Sequence, residues 1–300
     1  MIHIFFLYAI LASSYMCSKS LMGCISPITL VTLTSLGAGL ILFGAYLYNK
    51  RTLHIPNFSQ FVKDMTLVAC GTTVGATILR YYALSCVSTF FVTLVMVFDP
   101  FVTAGLSYLI QGIPCNLYQI GAICLAVAGT LPLLTSELST AGTITVLPLV
   151  ALIAALCINR LGWMQAQKVM DQNYSPTLVT AANLLIGGLI SAAFAITNNY
   201  HHEILSLNSG TMCKILYVLV ANNIINSWGY TYLLSKFPIT LLAITEFLTP
   251  CFVALLGWLL WSQPVDWKLV VSLVSVCLGL TLFMKFQTKK QIVKETVAIN

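Results

Sequence analysis

The sequence predicts an all-α integral membrane protein whose ten transmembrane helices form two inverted five-helix repeats. Three observations carry that prediction. Of 300 residues, 59% are hydrophobic and 7% charged, with a mean hydropathy of +0.93, whereas about a quarter of residues are charged in soluble domains. Apolar stretches of roughly 20 residues, the length that crosses a hydrocarbon core, recur along the whole chain. The second half also repeats the first. A water-soluble fold is excluded, and 300 residues divided among such spans leave no room for an extramembrane domain.

In chain order the spans are expected at about 2–20, 28–48, 61–84, 87–110, 115–134, 147–168, 176–197, 213–234, 238–261 and 267–286, bounded by polar residues or by Pro and Gly. The first follows Met1-Ile2-His3 directly, with no basic stretch and no small-residue cleavage site. It is therefore expected to remain as a span and not to leave as a signal peptide. With the N-terminus in the cytoplasm, Lys50, Arg51, Lys63, Lys168, Lys236, Lys285, Lys289, Lys290 and Lys294 lie inside, and Lys19, Arg80, Lys214 and Lys268 lie toward the outside. That asymmetry predicts a cell (inner) membrane protein with both termini cytoplasmic and its Lys-rich tail near anionic lipid. The net charge of +6 is read as orientation, because dispersed basic residues without a folded aqueous surface do not make a nucleic-acid site.

The ten cysteines are spread singly through apolar segments without a CxxC pair, and are expected to be buried, inert and small-apolar in role. His54 and the pair His201-His202 fall in loops, which is too little for a metal centre. No cofactor is expected.

The repeat is read from paired positions. Shifted by 149 residues, Lys19 falls on Lys168, Ser26-Pro27 on Ser175-Pro176 and Gly39 on Gly188. At a shift of 150, Tyr82 meets Tyr232, Pro100 meets Pro250, Pro114 meets Pro264 and Gly129 meets Gly279. The expected divisions are a first repeat over 1–143, a second over 144–288 and a basic tail over 289–300. Each half holds an odd number of spans, so the copies insert with opposite orientation.

Charge at bilayer depth is costly unless it faces a cavity or a partner, so each case marks a candidate site. Asp99 directly precedes Pro100 in span four, Glu246 lies four residues before Pro250 in span nine, and Arg160 is deep in span six. A Pro within a span frees a carbonyl one turn back, and such breaks are tolerated where they line protein or water. Both acids thus sit beside symmetry-related breaks, where a midplane cavity is expected. The alternative is that Arg160 neutralises an acid in a buried ion pair. In span eight Asn223, Asn226 or Ser227, and Tyr230 fall on one helical face, extended by Asn222, either to meet ligand or to join helices. Tyr81, Tyr82, Trp163, Trp228, Tyr232 and Trp258 are candidates to box a planar or cationic group, those near span ends being belt residues instead. The small-residue pairs Gly71/Gly75, Ala122/Ala126 and Gly187/Ser191 permit close helix approach, inside one chain or in a homodimer. Lys19 and Lys168, at span ends, are expected to snorkel to the interface.

The chain resembles the drug/metabolite transporter superfamily and, within it, the ten-span EamA-type carriers. The resemblance is carried by "YYALSCVSTFF" and "DPFVTAGLSYLI" in the first half and by "TPCFVALLGWLL" in the second. Where those carriers often have Gly-Glu after spans four and nine, this chain has Gln111-Gly112 and Ser262-Gln263, and it lacks their Arg in span two. The stretches "NRLGWMQAQKVMDQNYSP" and "NNIINSWGYTYLLSKFPITLLAITEFLTPCFVALLGWLL" are similar to the S-adenosylmethionine transporters of obligate intracellular bacteria.

No GxSxG or HExxH pattern occurs, and an enzyme is not expected. A channel or structural subunit accounts for neither the duplicated breaks nor the acids beside them, whereas a carrier that rocks one repeat against the other accounts for both. The polar inventory suits a zwitterion or a cation bearing a carboxylate, with Asp99 and Glu246 drawing positive charge and Arg160 or Arg80 holding the carboxylate. Asn223, Asn226, Tyr230, Tyr82 and Trp163 complete the expected site. The resemblance implies S-adenosylmethionine uptake in exchange for S-adenosylhomocysteine, with an amino acid or organic cation as the alternative cargo.

Overall fold

The computed structural model describes residues 2–50, 55–112, 116–140, 146–198, 200, 202–205, 207–237, 239, 242, 245–246, 248–261 and 267–286. The helices are α1 (Ile2–Leu21), α2 (Pro27–Lys50), α3 (Phe58–Cys86), α4 (Thr89–Ile110), α5 (Leu117–Thr140), α6 (Val146–Met170), α7 (Pro176–Thr197), the short α8 (His202–Leu205), α9 (209–234), α10 (Leu248–Trp261) and α11 (Trp267–Phe286). Of these, α2, α3, α4, α6 and α7 are long and apolar enough to cross a membrane on length and composition alone, and α5, α10 and α11 contain shorter apolar stretches. With α1, α9 and the segment leading into α10 they make the ten-span arrangement. The basic tail lies outside the described residues.

The same local chemistry starts equivalent helices in the two halves. Ser26 Oγ accepts the Thr29 N–H (3.3 Å) ahead of Pro27, and Ser175 Oγ accepts the Leu178 N–H (3.3 Å) ahead of Pro176. Each is an N-cap followed by a proline whose missing N–H is harmless in a first turn.

The packing is invariant when the halves are exchanged. Helix α2 runs along α7, and α5 along α11; α1 crosses α9 and α10, just as α6 crosses α3 and α4. Close approach at the first of these contacts depends on a reciprocal glycine pair. A Cβ on Gly39 would stand 2.9 Å from the Leu185 backbone nitrogen, and one on Gly188 would stand 2.9 Å from that of Leu36. The small-residue faces are likewise used within the chain: Gly71 lies against Gly162 of α6, and Gly279 against Ala122 and Ala126 of α5.

Inversion follows from which ends meet. Lys19 Nζ, late in α1, donates to the carbonyls of Leu84 (2.6 Å) and Val87 (3.0 Å) at the end of α3. The Ser26 N–H, between α1 and α2, donates to Glu203 Oε2 (2.8 Å) in the connection after α7. The connection after α7 therefore shares a side with the one before α2, although α2 and α7 are repeat partners. Lys19, expected to snorkel, reaches three carbonyls at a helix end, where the last turn leaves such acceptors.

The cysteines also differ from expectation. Cys24, Cys70, Cys86, Cys124, Cys213 and Cys277 are exposed and the other described ones half-buried, none of them in a disulfide. A thiol gains nothing by retreating from a surface that faces hydrocarbon, so small apolar residues point outward here as readily as inward.

Candidate functional site

Two pairs of helix irregularities converge where the halves meet. Pro100 and Pro250 have no N–H for the carbonyls of Met96 and Glu246, four residues earlier. In both cases the preceding amide takes over. The Asp99 N–H donates to the Met96 carbonyl within a 3₁₀ turn over Met96–Phe98, and the Thr249 N–H donates to the Glu246 carbonyl at 3.0 Å. The expected breaks are therefore present in α4 and at the entry to α10.

The second pair lies in α3 and α9, which widen into π-helix over Cys70–Ala76 and Leu219–Ser227. Each widened turn is braced by a hydroxyl reaching five residues back: Thr77 Oγ1 donates to the Thr72 carbonyl (2.9 Å) and Ser227 Oγ to the Asn222 carbonyl (3.1 Å). Such turns concentrate at functional sites. The stripe expected on α9, Asn222, Asn223, Asn226, Ser227 and Tyr230, lines one cavity.

That cavity, of about 90 Å³, is lined by Tyr8, Leu11 and Tyr15 of α1, Thr34 and Ser35 of α2, and Thr72, Thr73, Thr77, Arg80 and Tyr81 of α3. From the other half come Asn159 and Trp163 of α6, Asn183 of α7, the polar stripe of α9, and Glu246 and Thr249. Arg160 stands at its edge as a hub. Its Nε donates to Asp99 Oδ1 (2.6 Å), Nη1 to the Tyr230 hydroxyl (2.6 Å) and Nη2 to Glu246 Oε1 (2.5 Å). Nη2 also pairs with Asp99 Oδ2. Arg160 and Asp99 are 0% exposed, whereas the Glu246 side chain is 19% exposed and opens on the cavity. Two carboxyl groups share one guanidinium, and Glu246 is the accessible end of the cluster.

Arg80 is held differently. Its Nη1 donates to the Tyr15 hydroxyl (2.8 Å) and its guanidinium carbon lies 5.9 Å from the Tyr15 ring centroid. Its Nε is buried without a hydrogen-bond partner among the described residues, and no acid lies within ion-pair distance of it among them. Arginine is thus divided between two tasks: Arg160 holds protein, and Arg80 offers a donor to the cavity.

Of the residues singled out in the sequence, Arg160, Glu246 and Tyr230 meet at the hub, with Trp163 against Tyr230 (ring centroids 4.5 Å). Arg80, Asn223 and Asn226 line the same cavity. Asp99 lies behind Arg160 and does not line it, and Tyr82 is also outside the lining. Trp228 and Tyr232 stack on each other on the outer surface (5.6 Å), and Trp258 is exposed there too. Sequence reasoning passed over Tyr8, Tyr15, Thr72, Thr73, Asn159 and Asn183. Asn183 Oδ1 accepts from the hydroxyls of Thr72 (3.1 Å) and Thr73 (2.9 Å). A signal for it existed in the 150-residue shift, which sets Thr72-Thr73 on Asn222-Asn223.

Comparisons with known proteins bear on the fold and the family. A solved crystal structure superposes with a TM-score of 0.70 over 94% of this chain and 93% of that one, at 16% identity, which speaks for the fold. An S-adenosylmethionine/S-adenosylhomocysteine transporter of Chlamydia muridarum (strain MoPn / Nigg) is 26% identical over 280 residues, 89% of this chain and 86% of its own. A protein of the same name from Chlamydia trachomatis serovar D is 24% identical over 275 residues, covering 89% and 84%. The EamA-like transporter family matches twice, over residues 1–135 and 146–285. The chain therefore belongs to the EamA-like transporter family and is a multi-pass membrane transporter of a small molecule, not an enzyme.

Proposed function

We propose that this protein takes up S-adenosylmethionine in exchange for S-adenosylhomocysteine by alternating access, the halves 1–143 and 144–288 rocking about the central cavity. The observation that carries the reading is the unpaired Arg80 donor and the accessible Glu246 carboxylate in one cavity. Together they match a ligand with carboxylate and ammonium on one carbon. The aromatic rings of Tyr8, Tyr15 and Trp163 offer faces for a sulfonium or a base. The names of the chlamydial relatives point to the same ligand pair. A cavity of about 90 Å³ is smaller than ligand pockets of roughly 300–1,000 Å³, which supports loading by parting of the halves. The distribution of basic residues supports both termini in the cytoplasm and a place in the inner membrane.

Uptake of radiolabelled S-adenosylmethionine by cells expressing the protein tests this, with excess S-adenosylhomocysteine, amino acids and organic cations as competitors. Saturable uptake blocked by S-adenosylhomocysteine is expected. Block by a plain amino acid alone would assign the Arg80 and Glu246 pair to amino-acid transport, and no uptake by correctly inserted protein would reject the substrate.

A further inference from the structure

The charged groups account for the two ends of a zwitterion and leave the π-helical turn of α9 unexplained. Asn223 is buried, 6% exposed, and lines the cavity. Its Oδ1 accepts from Asn222 Nδ2 (3.2 Å), and Asn222 Nδ2 in turn reaches the Tyr81 hydroxyl (3.4 Å). This chain fixes which way the Asn223 amide faces: the oxygen is used within the protein and the NH₂ is left over. That Nδ2 is buried with no hydrogen-bond partner among the described residues. A buried donor left unmade carries its full desolvation cost, and Asn222, Asn223 and Asn226 all line the cavity from the π-helical turn of α9.

Charged ligand groups already have charged counterparts in Arg80 and Glu246. A neutral amide donor at the same cavity is suited to a neutral acceptor, and the ring nitrogens of a purine are such acceptors. Carboxamides are the side chains that read adenine edges, and Trp163, packed against Tyr230, lies in the same cavity to offer a ring face to a planar base. We propose that Asn223 is the nucleobase-reading residue of the site, its Nδ2–H donating to a ring nitrogen of the ligand's adenine, held in register by Asn222. This rests on the S-adenosylmethionine reading and adds to it the residue that separates an adenosyl ligand from a plain amino acid.

The test compares half-inhibition of labelled S-adenosylmethionine uptake across two proteins and four competitors. Wild type and Asn223→Ala are each competed with S-adenosylhomocysteine and with its 1-, 3- and 7-deaza analogues, in which one ring nitrogen becomes CH. In wild type one deaza analogue is expected to compete about tenfold less well than the parent. In Asn223→Ala that analogue and the parent should compete equally, at the weaker level. If Asn223→Ala loses folded protein, Asn223→Asp, which replaces NH₂ by oxygen at constant size, must erase the same gap. A wild type indifferent to every deaza change, or a gap that survives in the variant, overturns the assignment while leaving the substrate standing. Wild type that transports neither S-adenosyl compound overturns both.

Discussion

The two halves of this transporter share a backbone and differ in what they hang on it. Both have a capped Ser-Pro helix start, a π-helical turn braced from five residues on, a proline whose orphaned carbonyl is taken by the preceding amide, and a glycine set against its mate's leucine. At matching positions the side chains diverge. Arg160 stands where the first half has Leu11, Glu246 where it has Met96, Asn222-Asn223 where it has Thr72-Thr73, and Tyr230 where it has Arg80. Backbone symmetry is what two rocking bodies need, and side-chain asymmetry is what an asymmetric ligand needs. In the proposed function, the duplication supplies the machine and its departures from symmetry supply the site.

Replacing residues of one half by their counterparts from the other breaks that comparison on purpose. Arg160→Leu should have the largest effect, because it leaves Asp99 buried, and Glu246 half-buried, without a counter-charge. A loss of about 3–5 kcal/mol of stability is expected, read as thermal unfolding in detergent. The triple variant Arg160→Leu, Asp99→Thr, Glu246→Met copies all three counterparts and should recover most of that stability, since apolar replacement of a whole buried cluster is often neutral. It should not recover transport. Recovery of transport would show that the charges are scaffold only.

Glu246→Gln comes next in magnitude. Arg160 keeps both Asp99 oxygens and the Tyr230 hydroxyl, so the fold should hold while transport of ammonium-bearing ligands falls to background. Arg80→Gln should raise the half-saturating concentration by about 10–100-fold, the worth of a charge-assisted hydrogen bond, with little change in unfolding temperature. Gly39→Ala and Gly188→Ala should each cost about 1–3 kcal/mol and, as a reciprocal pair, cost nearly the same. Clearly unequal losses would deny the symmetry of the α2 and α7 contact. Tyr82→Phe, outside the cavity, should change neither transport nor stability measurably.

Much of this was legible from residues alone. Span positions follow from hydropathy, because the bilayer imposes one length on every crossing. The breaks followed from Pro100 and Pro250, whose chemistry is local. Intramembrane charge flagged Arg160, Asp99 and Glu246 correctly as exceptional, but spacing could not say that one guanidinium would serve both acids and put Asp99 behind it, out of the cavity. Which residues pair across 61 and 86 positions is a property of packing. The π turns were invisible because period analysis assumes 3.6 residues per turn. Tyr8 and Tyr15 were missed for a related reason: in an apolar helix an inward tyrosine and a lipid-facing one have the same hydropathy.

The most direct test of the central claim is counterflow. Proteoliposomes loaded with S-adenosylhomocysteine are presented with labelled S-adenosylmethionine, wild type beside Glu246→Gln of equal thermal stability. Wild type is expected to accumulate label faster than from empty vesicles, and Glu246→Gln to show no accumulation. Exchange by the variant at the wild-type rate would contradict the account, since the accessible acid of the asymmetric site would then be irrelevant to its cargo.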